Sequence, residues 1–143
     1  MVIVTKDKYI HYLSPCYLGT SHDYSLLKSE FSPENNWFEN HTIRLDLGYK
    51  GFEIDYLCKK VVIPHKKPHK SDLTETQKNE NMEKSKKRIF VEHSIGGMKR
   101  YRFLSDKLRN HDFNLYSDAI EVCAGLWNFN LKIYFLHRNK SNV

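Results

Sequence analysis

Apolar and polar positions along the chain fall into two regimes, short β-type runs first and longer helical stretches afterwards. Val2-Ile-Val-Thr5 and Tyr9-Ile-His-Tyr-Leu13 are rich in residues that fit a pleated surface, and Lys6-Asp7-Lys8 between them is a polar break of hairpin length. Ser14-Pro15 closes the second run. Beyond Gly19, Ser21 or Asp23 caps a short helix over residues 24–31, whose Leu26, Leu27 and Phe31 form its apolar face. Ser32-Pro33-Glu34 predicts another helix start, with proline at the first helical position. Residues 42–46 alternate briefly and stop before Gly48, a short strand with Asp46 at its end; residues 56–63 predict another strand, closed by Pro64. Residues 73–102 turn to Glu, Gln, Lys and Met, a helical composition interrupted by Gly96-Gly97. A last segment, 116–135, is apolar enough for a packed helix in one piece or two. Strands first and helices later predict an α/β or α+β chain.

A length of 143 residues suits one domain. It is enough to bury about two-thirds of the unfolded surface without a covalent staple. No apolar run approaches the roughly 18–20 residues that span a bilayer, which excludes a membrane protein of the helical kind. The N-terminus turns polar too early for a secretory signal. Cys16, Cys58 and Cys123 are odd in number and lack C-x-x-C spacing, which fits a reducing, cytoplasmic setting better than a disulfide framework.

Charge changes the picture further. There are 23 Lys and Arg against 17 Asp and Glu, a net +6, which points to a polyanionic partner without naming one. The basic residues cluster: 59–70 holds five lysines and two histidines with no acid, and Lys99, Arg100, Arg102, Lys107 and Arg109 form a second group. Either is a solvated surface or a track for a DNA backbone. His65-x3-His69 with Cys58 nearby has the ring of a zinc site but lacks a second cysteine at ligand spacing, and reads as two exposed histidines. Ser21, His22 and Asp23 are adjacent in sequence and cannot form a nucleophile relay.

Two carboxylates stand out. Asp46 ends a predicted strand at a Gly-containing turn, where α/β sheets place functional groups; the alternative is an aspartate that caps its own turn. Glu92 lies on one helical stripe with Arg88 and Lys99, within about 40° at 100° per residue. That is either an i,i+4 ion pair or part of a site. Two glycines inside that helix cost about 1 kcal/mol each, so Gly96-Gly97 implies close approach of another backbone or a phosphate.

Taken together, Gly19-Thr-Ser-His22-Asp23, Leu45-Asp46-Leu-Gly48-Tyr49-Lys-Gly51 and Arg88-x3-Glu92-x6-Lys99 resemble the catalytic domain of bacterial insertion-sequence transposases. More narrowly the chain is similar to the DDE superfamily endonucleases, including the Harbinger-like group, in which V-E-H-x-I-G-x-x-K-R follows S-x-x-R-I. Here those segments read Ser85-Lys-Lys-Arg88-Ile89 and Val91-Glu92-His93-Ser-Ile95-Gly96-Gly97-Met-Lys99-Arg100. Related transposases use Y-x2-R-x3-E-x6-K, with Ser85 standing where the tyrosine would be.

The resemblance implies an RNase H-like mixed sheet with flanking helices over residues 1–136, followed by a tail at 137–143. It implies DNA as partner (transposon ends and target), homo-oligomers in some cases, and no small-molecule substrate. Two Mg²⁺ or Mn²⁺ ions would serve metal-dependent cleavage and strand transfer. Asp46 matches the family's second aspartate and Glu92 its glutamate, both catalytic and both metal ligands. Arg88, Lys99 and Arg100 would contact DNA phosphates, and His22, Asp23 and His93 would stand behind the ligands. The first aspartate, which the family carries on a strand before the hairpin, has no counterpart in these residues. The expectation is therefore a domain lacking its first strand and inactive alone. The alternative is a non-catalytic DNA-binding remnant, or a half-protein completed by a second reading frame.

Overall fold

A β-hairpin opens the chain, and strands and helices then mix as an α/β class requires. The computed structural model describes residues 1–17, 19, 21–105 and 112–140. In chain order the elements are β1 (Val2–Val4), β2 (Ile10–Leu13), α1 (Asp23–Glu30), β3 (Phe38–Arg44), a 3-10 turn (Leu47–Tyr49), α2 (Phe52–Asp55), β4 (Cys58–Val62), α3 (Glu75–Met98), α4 (Arg102–Ser105) and α5 (Phe113–Lys140). They divide into two units, Met1–Leu18 with Phe90–Val143, and Gly19–Ile89. Among the described residues each unit holds one two-stranded sheet. No described helix is long and apolar enough to cross a membrane.

In the first unit β1 and β2 pair antiparallel, Val2 opposite Leu13 and Ile3 opposite Tyr12, with a bulge between Ile3 and Val4. The connecting loop brings Lys8 to φ 67°, the left-handed region that non-glycine residues rarely adopt. Its conformation is held by three bonds. Lys8 N–H donates to the Thr5 carbonyl at 2.9 Å. The Lys8 carbonyl accepts from Ser94 Oγ and from Trp127 Nε1, both at 2.8 Å. Ile10, Met98, Cys123 and Ala124 form the buried centre, flanked by Val2, Val4, Leu13, Ile95, Tyr101, Leu104 and Trp127. The Asn128 carboxamide closes the packing: it accepts from Ile10 N–H at 2.9 Å and donates to the Ile10 carbonyl at 2.8 Å.

The second unit has an aromatic centre. Phe38, Phe52 and Tyr56 are buried, Phe52 and Tyr56 stack at 4.7 Å, and Phe38 meets both within 5.5 Å. Tyr56 satisfies its hydroxyl by donating to the Phe31 carbonyl at 2.5 Å, as a buried tyrosine must. β3 and β4 run parallel, Ile43 opposite Val61 and Arg44 opposite Val62, and Leu45 N–H extends the pairing to the Val62 carbonyl. Gly51, at φ +103°, turns the chain from the 3-10 segment into α2, a conformation that favours glycine.

Several expectations change. Ser32-Pro33-Glu34 starts no helix; Asn35 N–H donates to the Ser32 carbonyl in a turn, and Trp37 Nε1 donates to the same carbonyl at 3.0 Å. The turn delivers Phe38 to the aromatic centre, and that burial outweighs the helix-start signal. Gly96-Gly97 does not interrupt α3, which runs to Met98. A methyl group on Gly97 would lie 2.2 Å from Cε3 and Cζ3 of Trp127, so the close neighbour is an indole and neither a backbone nor a phosphate. Gly96 faces open space. The last helix is one piece, and α2 carries no advance signal in the alternation. Lys107 and Arg109 lie outside the described residues.

Candidate functional site

Within the second unit, the ends of β3 and β4 and the N-terminal half of α3 enclose a cleft of about 370 Å³ lined by Asp46, Leu47, Gly48, Pro64, Asn81, Ser85 and Arg88. Asp46 arrives there because β3 stops at Arg44 and the 3-10 turn begins; it is the N-cap of that turn, and its Oδ1 accepts from Gly48 N–H at 2.8 Å. The turn-capping alternative is thus realised, and it coexists with a place in the cleft. A carboxylate has about four lone-pair sites, so one accepted bond leaves most of its capacity. Arg88 is exposed on α3 and lines the same cleft.

Asp23, the first residue of α1, comes to the same place. A methyl group added to Gly48 would stand 3.0 Å from Asp46 Oδ1 and 4.0 Å from Asp23 Oδ2. Two carboxylates therefore flank a residue that has no side chain. Tyr49 records both of them. Burial, and then the charges of Asp23 and Asp46, push its hydroxyl up to about 12, because a phenolate beside two carboxylates is disfavoured. His22 caps α1 only through its backbone and is exposed.

Glu92, His93, Lys99 and Arg100 are exposed, the first two on α3 one turn beyond Arg88, the last two in the turn that ends it. Neither Arg88 nor Glu92 has an ion-pair partner among the described residues, so the simple i,i+4 pair is not formed. Lys99 N–H still completes a helical bond to Ile95. Glu92 lies in the first unit and Asp46 in the second.

Asn81 is the residue that the spacing rules passed over. Its Oδ1 accepts from His65 N–H at 2.7 Å and its Nδ2 donates to the His65 carbonyl at 3.0 Å. It thereby ties the segment after β4 to α3 and sets the width of the cleft. A signal existed: Asn81, Ser85, Arg88 and Glu92 recur at four-, three- and four-residue steps along one helix face. The His65 ring donates from Nε2 to Glu80 at 2.5 Å and draws that carboxyl below its usual range. His65 is therefore half-buried and engaged with Asn81 and Glu80, where the sequence reading expects an exposed histidine.

Among the described residues no group of three or more His, Cys, Asp or Glu comes together that would hold a metal ion. The oxygen donors at Gly48 are of the hard type that divalent cations prefer, but a pair of carboxylates falls short of a full ligand set.

The family model of the DDE superfamily endonucleases matches residues 1–128. The chain is 34% identical, over 120 residues, to the probable transposase for insertion sequence element IS702 of Microchaete diplosiphon. That alignment covers 80% of the chain and 40% of the relative, so the chain spans less than half of that protein's length. No solved structure matches. Members of the superfamily generally use divalent metal ions. With the match running through both the Asp46 turn and α3, the chain belongs to the DDE superfamily endonucleases.

Proposed function

We propose that the chain carries part of a DNA-cleaving and strand-transferring centre. In it Asp46 and Glu92 are catalytic carboxylates, and Arg88, Lys99 and Arg100 hold phosphates. The observation that carries this reading is the cleft that puts an acid, Asp46, and a guanidinium without an ion-pair partner among the described residues, Arg88, on facing elements. Arg88 offers a planar, permanently charged fork that suits a phosphodiester oxygen pair. Lys99 and Arg100, exposed in the turn that ends α3, would hold further phosphates. Asp46, anchored through Oδ1, keeps one oxygen fixed while the rest of the carboxylate faces the cleft. Asp23 and His22 at the start of α1, and His93 beside Glu92, would orient these groups.

A divalent ion such as Mg²⁺ or Mn²⁺, when bound, would activate an attacking oxygen and stabilise the leaving one. The described donors do not complete a site for it, so no step is assigned through it. This shortfall favours the reading in which a further carboxylate comes from another segment or another chain, over one in which these residues work alone. A DNA-binding remnant without catalysis remains the second reading.

The test is duplex-DNA binding followed by fluorescence anisotropy across a salt series. Binding is expected to weaken steeply with salt, and Arg88→Ala and Lys99→Ala are each expected to lower the log–log slope by about 1. Salt-independent retention, or slopes unchanged in both variants, would overturn the phosphate assignment. A nicking assay with Mg²⁺ or Mn²⁺ separates the two readings. The chain by itself is expected to leave supercoiled DNA intact. Nicking that Glu92→Gln abolishes would instead mean that Asp23 or another carboxylate already completes the centre.

A further inference from the structure

The first turn of α1 grips the segment from Asp46 to Asp55 at four places. Asp23 brings its carboxylate to Gly48, where an added methyl group would stand 4.0 Å from Asp23 Oδ2 and 3.0 Å from Asp46 Oδ1. Tyr24, the next residue, makes the other three contacts. Its ring meets the Tyr49 ring edge to face, with centroids 6.4 Å apart. Its Cε1 lies 3.7 Å from where a methyl group on Gly51 would stand, beside the residue whose φ of +103° turns the chain into α2. Its hydroxyl donates to Asp55 Oδ2 at the end of α2. Lys28, one turn along α1, completes the group: its Nζ is 2.5 Å from Asp55 Oδ2 and 4.7 Å from the centre of the Tyr24 ring.

Two carboxylates drawn toward one glycine repel each other, so something must oppose their separation. Asp46 is fixed within its own turn by the bond from Gly48 N–H. Asp23 has no ion-pair partner among the described residues. The positive end of α1 favours its charge without setting its distance from Asp46. The far end of α1 is tied separately, by the Tyr56 hydroxyl that donates to the Phe31 carbonyl. Tyr24, half-buried, holds the near end, and its bond to an ionised acceptor is of the stronger kind. The Lys28–Asp55 pair is partly exposed and contributes little stability by itself. Its effect is local: it keeps the Asp55 carboxylate where the Tyr24 hydroxyl needs it.

We infer that Tyr24, anchored on Asp55, is the positioning residue that keeps Asp23 and Asp46 together at Gly48. The brace serves chemistry only on the reading of Asp46 as a catalytic carboxylate, on which it rests, but its test uses neither DNA nor a metal ion. Asp23→Cys and Gly48→Cys are combined in a full chain that also carries Cys16→Ser and Cys58→Ser, so that the half-buried native thiols are gone. Dibromobimane, which fluoresces once it joins two thiols, reads the proximity of positions 23 and 48 as a rate. The pair is expected to be joined readily. Adding Tyr24→Phe, which keeps the ring and removes the hydroxyl, or Asp55→Ala is expected to slow the joining about fivefold, the scale of one hydrogen bond. Asp55→Asn keeps an acceptor for the hydroxyl and loses only the charge, so the rate is expected to stay within about twofold of the starting chain. Exchange of the Leu45 amide, bonded to the Val62 carbonyl at 3.1 Å, is expected to be the same throughout.

No joining in the starting chain would overturn the juxtaposition of α1 and the turn. Equal rates with and without Tyr24→Phe, or Asp55→Asn as slow as Asp55→Ala, would overturn the hydroxyl as the brace. Slowing matched by faster Leu45 exchange would mean that the whole unit loosens, and would overturn a positioning role. A failure of the DNA reading shows instead in the salt series and leaves these rates as they are.

Discussion

The carboxamide of Asn128 pairs with both polar groups of Ile10, N–H and carbonyl, across 118 residues of sequence. It does for β2 what a neighbouring strand would do, supplying one acceptor and one donor to an otherwise unpaired edge. Asn81 treats His65 in the same way in the second unit. Because each bond fixes one end of the amide, the orientation of both side chains is determined by the pairing. In each unit an asparagine on a long helix is the link between helix and extended chain.

Replacing Asn128 by alanine is expected to cost about 2–4 kcal/mol. It leaves a buried N–H and a buried carbonyl of Ile10 without partners, at about 1–3 kcal/mol each. Urea denaturation of the variant checks this. A loss below about 0.5 kcal/mol would mean that water replaces the amide at no penalty.

Gly97 and Gly96 should respond in opposite directions to the same substitution. Gly97→Ala forces a methyl group into the Trp127 indole and is expected to destabilise by about 1–3 kcal/mol, after any gain in helix propensity. Gly96→Ala meets open space and is expected to stabilise by up to about 1 kcal/mol. Denaturation midpoints of the two single variants decide the matter. Equal effects would contradict the contact with Trp127.

Tyr49 reports on the carboxylate pair. Its hydroxyl, pushed up to about 12, contributes stability that is present below the unfolded value of about 10 and is lost as pH rises between the two. Asp46→Asn combined with Asp23→Asn removes two of the three causes and is expected to bring the Tyr49 transition down toward its ordinary position. Ring NMR signals across an alkaline titration measure it. An unmoved transition would mean that the two carboxylates do not converge beside Tyr49.

On the acid side, Asp55 is held below the usual carboxylate range, first by the hydrogen bond from Lys28 and then by that from Tyr24. Folded Asp55 therefore binds fewer protons than unfolded Asp55 just below pH 4, and its contribution, present above the unfolded pKa, is lost as pH falls. In Lys28→Ala the Asp55 titration is expected to move back up, and the melting temperature to depend less steeply on pH in that window. A titration unchanged from the parent chain would remove Lys28 as the cause.

Much of the local structure was readable in the chain. The Val2–Leu13 hairpin announces itself through β-branched residues on either side of a polar triplet. α1 announces itself through Leu26, Leu27 and Phe31. The motif residues around Asp46 and Glu92 carry the family on their own, because residue types at fixed spacing are a property of the sequence. The Ser32-Pro33-Glu34 signal failed for the opposite reason: a local start preference of about 1 kcal/mol competes with burying Phe38, worth more. Asn81 went unnoticed because an asparagine in a helix has no local mark that tells a backbone clamp from a surface amide.

What the sequence determined by itself, then, is the α/β class, most element positions, the basic charge and the superfamily, all of which rest on neighbours within a few residues or on motif identity. Tertiary structure alone decided that Gly97 exists for Trp127, that Asp23 comes beside Asp46 at Gly48, and that Asn128 pairs with Ile10. Each of these depends on which distant surfaces meet, and a one-dimensional pattern records the faces of an element without recording what lies against them.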